Sequence, residues 1–200
     1  MANRNSKVLN SSKTIRTVRL SLVLELALLA SGVKADTGQT IEGVYLKATV
    51  RTPVQMSAFY EARGFPPGAT ALLSKYCFIT VIVRNHSDRV VWLEPARWTA
   101  KTGDGRVDSP LTPEEWSRQW DRAGLAAAQR ATFQWTQLPK SRDLQPNEPV
   151  GGNLTLRRFP GKFTLNMVFA TGEAREGEPI RAEIPGLSCD VGPGPSKPIK

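Results

Sequence analysis

The stretch CFITVIVR (77–84), followed by NHSD (85–88) and RVVWLEPARW (89–98), decides the reading of this chain. The first segment is almost entirely β-branched or aromatic. That composition belongs to a strand that is central in its sheet or covered on both faces. Asn85, Ser87 and Asp88 can bond their own backbone, so they read as a turn. The third segment returns as a second strand, and the pair reads as a hairpin. An antiparallel β domain is therefore the starting expectation.

Working outward, IEGVYLKATVR (41–51) has partial alternation and reads as a strand. Thr52, Pro53 and Gln55 then supply a helix start: a cap, proline at the first helical position, and the partner residue of a capping box. The helix runs through QMSAFYEAR and stops at Gly64, with FPPG (65–68) as a hard break. A second short helix fits 69–76. Thr112, Pro113 and Glu115 repeat the same start. Trp116 and Trp120 lie four apart on the helix that follows, hence on one face. Gly124 interrupts it, and 125–131 continues as helix. FQWTQ (133–137) alternates like a strand, and 139–149 reads as loop. Strands are expected at 153–157, 162–170 and 179–184, with turns between. No internal repeat is visible.

Many short strands with turn punctuation indicate a mainly β fold, an antiparallel β-sandwich decorated by two short helical insertions. CFITVIVRNHSDRVVWLEP, LQPNEPVGGNLTL and FTLNMVF, with the corner Pro146-Asn147-Glu148, resemble the middle and end of immunoglobulin-like sandwiches in exported bacterial proteins. The resemblance implies an immunoglobulin-like fold over roughly 76–189 and no particular activity.

Residues 1–35 read as a cleaved secretory leader. Arg4, Lys7, Lys13, Arg16 and Arg19 precede LSLVLELALLA (20–30), and Val33 and Ala35 put small residues at a cleavage site. The apolar run falls short of the roughly 20 residues a membrane span needs. What remains is one domain, 36–190, plus a Pro/Gly/Lys tail, VGPGPSKPIK (191–200), expected to be disordered. The expected location is the periplasm or the exterior of the cell. The net charge of +9 shrinks on this reading. Six of the 27 basic and one of the 18 acidic residues lie in the leader, leaving 21 against 17. The mature part has no basic run longer than Arg157-Arg158, so nucleic acid is not an expected partner.

Two cysteines in an exported chain favour a disulfide, here Cys77 to Cys189, closing a loop worth roughly 4–5 kcal/mol by chain entropy. No C-x-x-C pair points to redox or metal chemistry. The single histidine, His86, sits in an expected turn, and no G-x-S-x-G accompanies it, so a serine hydrolase is disfavoured. Asp104 and Asp108 flank Gly105 but lack the spacing of a calcium loop. Neither metal nor cofactor is expected. Glu94, Glu114, Glu115 and Asp121 flank tryptophans and are the candidates for a carboxylate-dependent hydrolase. Trp92 is expected in the core. Trp116 and Trp120, with Arg118 and Arg122, are the candidate binding residues. The favoured function is a non-catalytic envelope domain binding a protein partner. A carbohydrate- or cell-wall-binding module is the alternative.

Overall fold

A computed structural model describes residues 38–190. The expected leader (1–35) and tail (191–200) lie outside the described residues. In chain order the strands are β1 (Gln39–Ile41), β2 (Val44–Arg51), β3 (Tyr76–Asn85), β4 (Val91–Leu93), β5 (Thr99–Thr102), β6 (Val107–Asp108), β7 (Arg142–Leu144), β8 (Pro149–Arg157), β9 (Lys162–Thr171) and β10 (Gly177–Ser188). Helices α1 (Pro53–Glu61) and α2 (Pro67–Leu73) separate β2 from β3. Helices α3 (Pro113–Arg122) and α4 (Ala127–Trp135) separate β6 from β7. Each expected helical insertion is thus a helix pair. Both capping boxes form: Thr52 and Thr112 hydroxyls accept from the Gln55 and Glu115 amides, whose side chains accept from the Thr52 and Thr112 amides in return.

Pairing is antiparallel throughout both sheets. The first has the order β1-β2-β3-β8. The second has the order β6-β5-β9-β4-β7, with β10 along the other edge of β9. The two sheets face one another across a shared core. Val44, Leu46, Ile79, Val81 and Val83 come from the first, and Val91, Leu93, Leu165, Met167, Phe169 and Ile180 from the second. Cys77 and Cys189 are joined, Cα to Cα 5.5 Å, across 112 positions of sequence. The bridge ties the start of β3 to the residue after β10, so it links one sheet to the other.

The expected hairpin at 77–98 is not one. β3 lies in the first sheet and β4 in the second, so 86–90 carries the chain from sheet to sheet. The fully buried Asn85 makes this crossing. Its amide nitrogen donates to the carbonyls of Arg89 (2.6 Å) and Leu144 (2.8 Å), while its side-chain oxygen accepts from the Ser87 amide (2.9 Å) and hydroxyl (2.6 Å). These bonds turn the backbone out of its sheet rather than back along it. The corner at 145–148 meets it: Asn147, at φ 69°, donates its amide to the Asn85 carbonyl at 2.6 Å.

Three further expectations are corrected. The segment 41–51 is two strands, because Glu42 and Gly43 both adopt positive φ and turn the chain between β1 and β2. The return segment 89–98 is broken by a 3-10 turn at Pro95–Arg97, leaving β4 and β5 to pair with β9 in succession. FQWTQ (133–137) is not a strand. α4 runs on through Trp135, because Phe133 finds its burial against the helix layer rather than in a sheet.

Trp92 is only half-buried, on the outer side of β4. Its indole donates to the Gly172 carbonyl at 2.8 Å, and the Arg175 guanidinium lies 3.9 Å from its ring centre. Trp98 is the tryptophan of the inter-sheet core, fully buried. On β10 the register slips twice, between Gly177 and Ile180 and between Ile184 and Leu187, with Pro179 and Pro185 inside the slips. Among the described residues, no helix is long and apolar enough to cross a membrane.

Candidate functional site

The period of two along β3 decides what the helices cover. Cys77, Ile79, Val81 and Val83 face the inter-sheet core, so Phe78 must face the other way. There it enters a second apolar cluster with Met56, Tyr60, Phe65, Leu73, Trp116, Trp120, Leu125 and Phe133. The four helices therefore form a layer on the outer face of the first sheet. Phe133 sits at its centre, 4.6 Å from Trp116, 5.0 Å from Trp120 and 5.6 Å from Tyr60 by ring centres. Trp116 and Trp120 stack on each other at 5.0 Å and 22°. They are 3% and 2% exposed, so the helix face they share is turned inward.

A polar seam locks this layer to the sheet. The Tyr60 hydroxyl and the Thr136 hydroxyl lie 2.6 Å apart, and Gln137 donates to the Tyr60 oxygen at 3.1 Å. Burial raises the Tyr60 pKa, with those hydrogen bonds opposing it. On the sheet, Arg51 donates to Thr80 (2.8 Å), which donates to Asn153 (2.9 Å). The backbone of 136–138 then lies directly against β8: the Asn153 amide donates to the Thr136 carbonyl and the Leu138 amide to the Asn153 carbonyl. A side chain at Gly152 would meet the backbone of Gln137 and Leu138 within 2.8 Å, so only glycine permits the approach.

Between α3, α4, the 137–140 segment and β8 this packing leaves a cleft of about 490 Å³. Such a volume suits a small ligand or an inserted side chain. Trp116, Trp120, Phe133, Leu111 and Leu138 give it apolar walls, and Glu114, Ser117, Arg130, Gln134 and Lys140 contribute polar groups. Lys140 and Glu114 bond at 2.8 Å from opposite sides, α3 to loop. Arg130 pairs with Asp121 and donates to the Leu125 and Trp120 carbonyls, which fixes the α3–α4 corner.

The hydrogen bond from the Lys140 ammonium, helped by backbone hydrogen bonding, lowers the Glu114 carboxyl from its ordinary 4.5 to about 2. Glu115 is also lowered, first by the Thr112 amide at 2.8 Å and then by Arg157 at 2.8 Å. A depressed folded pKa means a contribution that is complete above about pH 4.5 and disappears as pH falls toward 2. Titrating Glu114 by carboxyl-detected NMR should give a midpoint near 2, and Lys140→Met should move it back toward the ordinary value. An unchanged midpoint in the variant would show that the cross-cleft bond is not formed.

The other sequence candidates fall elsewhere. Arg118 and Arg122 are exposed on α3, and Arg122 lines a separate hollow with Leu72, Lys75 and Gln119. They do not join the two tryptophans at a common site. His86 is exposed in its connection. Glu94 pairs with Arg97 and Arg175, Glu114 with Lys140, Glu115 with Arg157, and Asp121 with Arg130. Residues that sequence reasoning passed over include Phe133, Lys140 and Thr155 at the cleft, and Trp135, which is 90% exposed at the end of α4. Reading 127–135 as one helix would have separated the buried Phe133 from the outward Trp135, two positions on.

No protein-family model matches this chain, and no curated protein does. Among solved structures, the crystal structure of the yjhA protein from Bacillus subtilis is similar over 65% of this chain and 76% of its own, at 10% identity and a TM-score of 0.38.

Proposed function

We propose that this chain is an exported, non-catalytic domain of immunoglobulin-like type that binds a protein partner of the cell envelope, in the periplasm or outside the cell. The aromatic cleft between α3, α4 and β8 is the observation that carries the reading. A plain two-sheet domain has no need of a four-helix layer, and this one encloses an apolar hollow with polar groups around it. The inter-sheet disulfide supports an oxidising location. An apolar side chain of the partner fills the cleft. A sugar ring fits less well, because the two stacked tryptophans present their faces to each other rather than to solvent. The paired state of the four candidate carboxylates likewise favours binding over hydrolysis.

Ser117 lies exposed on α3 and lines the cleft, so Ser117→Trp fills the hollow from its rim. Affinity capture from the native envelope fraction should retain a partner on the wild-type protein and lose it on the variant. Both proteins should give the same far-ultraviolet circular dichroism and closely similar melting temperatures. Equal retention by both would remove the cleft from the binding surface.

A further inference from the structure

We infer that the uncovered half of the first sheet's outer face docks an acidic segment of a protein partner, with an apolar side chain against Ile82 and Trp135 and carboxylates on Arg51 and Arg84. The cleft has no part in it. The outward positions of β3 fall at 78, 80, 82 and 84. The helix layer buries Phe78 to 1% exposure and ends before Ile82, which is 40% exposed, and Arg84 beyond it is exposed too. β3 lies between β2 and β8, so Ile82 is an aliphatic side chain open to water in the middle of a sheet. A sheet with one wet face normally carries polar side chains there. Opposite Ile82 in register stands the exposed Gly151, which leaves that flank of the isoleucine uncovered. A Cβ at Gly151 would sit 3.8 Å from Ile82 Cγ1, an ordinary contact, so packing does not demand the glycine. Trp135 stands at the border of the layer. The residue after it, Thr136, accepts from the amide of Asn153, which lies two positions from Gly151 on β8. At 90%, Trp135 is the most exposed large hydrophobic side chain among the described residues.

The charge on this face has one sign. Strands β1, β2, β3 and β8 contain no acidic residue. Arg51 is held in place through its Nε, which donates to Thr80 at 2.8 Å, and Thr80 donates in turn to Asn153. Among the described residues, neither the two terminal nitrogens of Arg51 nor the guanidinium of Arg84 has a hydrogen bond or an ion pair. The free end of such a guanidinium is the fork that grips a carboxylate. Because the Nε bond already orders the Arg51 side chain, less entropy is lost when that fork is used. Arginine and tryptophan together, with acids depleted, is the composition of a protein interface at its energetic centre. A lipid surface or a nucleic acid calls for a denser cluster of Lys and Arg. A partner seated here must bring carboxylates to the two arginines and an apolar body to Ile82.

The test uses the full chain, labelled with ¹⁵N, and the peptide Ac-Glu-Glu-Leu-Phe-Glu-Glu-NH2. Two control peptides replace every glutamate by glutamine, or Leu-Phe by Ser-Ser. The acidic apolar peptide should shift the Thr80, Ile82 and Gly151 amides and the Trp135 indole signal. Each control should bind at least roughly fivefold more weakly at low salt, the upper size of one exposed ion pair. Gly151→Glu brings a carboxylate onto the face in open space, so it should weaken the peptide by roughly tenfold without moving the melting temperature. Gly151→Gln, of the same size, should keep most of the binding, and Ser117→Trp at the cleft should keep all of it. Equal binding of the glutamate and glutamine peptides, or equal losses in the two Gly151 variants, would overturn the inference. So would loss of peptide binding in Ser117→Trp, or shifts confined to Gln134 and Leu138, which would move the ligand into the cleft. Tighter binding of a heparin tetrasaccharide than of the peptide would overturn it as well, assigning the face to an anionic sugar polymer.

Discussion

Trp120→Ala should lower the unfolding free energy by about 3–5 kcal/mol, the cost of deleting a large aromatic from a packed interior. Trp120 is 2% exposed and packs on Trp116, on Phe133 at 5.0 Å and on Phe65 at 6.2 Å. It lies in the cluster between helices and sheet, not in the one between the sheets. That placement adds a signature beyond the size of the loss. With this aromatic gone, the helix layer can open while the two sheets stay paired, so the transition should become less cooperative and the urea m-value should fall. Chemical denaturation followed by tryptophan fluorescence and by circular dichroism measures both. A loss below about 1 kcal/mol, with coincident transitions, would mean that the rings are not packed as described.

Removing the disulfide should cost nearly as much. A closed loop of 112 residues contributes about 4.7 kcal/mol by chain entropy, and small exported domains lose about 2–5 kcal/mol when such a bridge is removed. The double variant Cys77→Ala, Cys189→Ala should therefore melt well below the wild type, and dithiothreitol should reproduce the shift in the wild type alone. Because the bridge joins the central strand of one sheet to the end of the other, its loss acts on the inter-sheet core. The two variants thus probe different layers, and their effects should be close to additive. No difference between oxidised and reduced wild-type protein would show that the cross-link constrains nothing.

These expectations also mark how far the amino-acid order carried. Strand β3 was legible because its residue types point both ways at once: the alternating aliphatics serve one core, and Phe78 serves the other. The caps at Thr52 and Thr112 were legible because each depends on residues within one turn. The bridge was legible from a count of two. The partner of β3 was not legible. A turn sequence such as NHSD reverses a chain within a sheet or sends it to another, and the choice is made by Asn85, whose partners at Leu144 and Asn147 are about 60 residues away. Trp116 and Trp120 were placed on one face correctly, yet a helical face says nothing of what covers it. The covering residue, Phe133, lay in a stretch whose five-residue alternation imitated a strand. The cleft itself was invisible, since it is a gap between four segments that only tertiary packing brings together.

The two slips on β10 have a bearing on life at high concentration. Among the described residues β10 pairs with β9 alone, and apart from the Glu183 carbonyl, which accepts from the Gln39 side chain, its other side offers backbone groups to a strand that arrives. Pro179 and Pro185 have no amide to donate, and the slips beside them bend the row of donors and acceptors out of line. A second molecule presenting its own strand cannot add on and propagate a continuous ribbon. On this border the prolines and slips act together with the exposed charges of Glu178, Arg181 and Glu183 to disfavour strand addition.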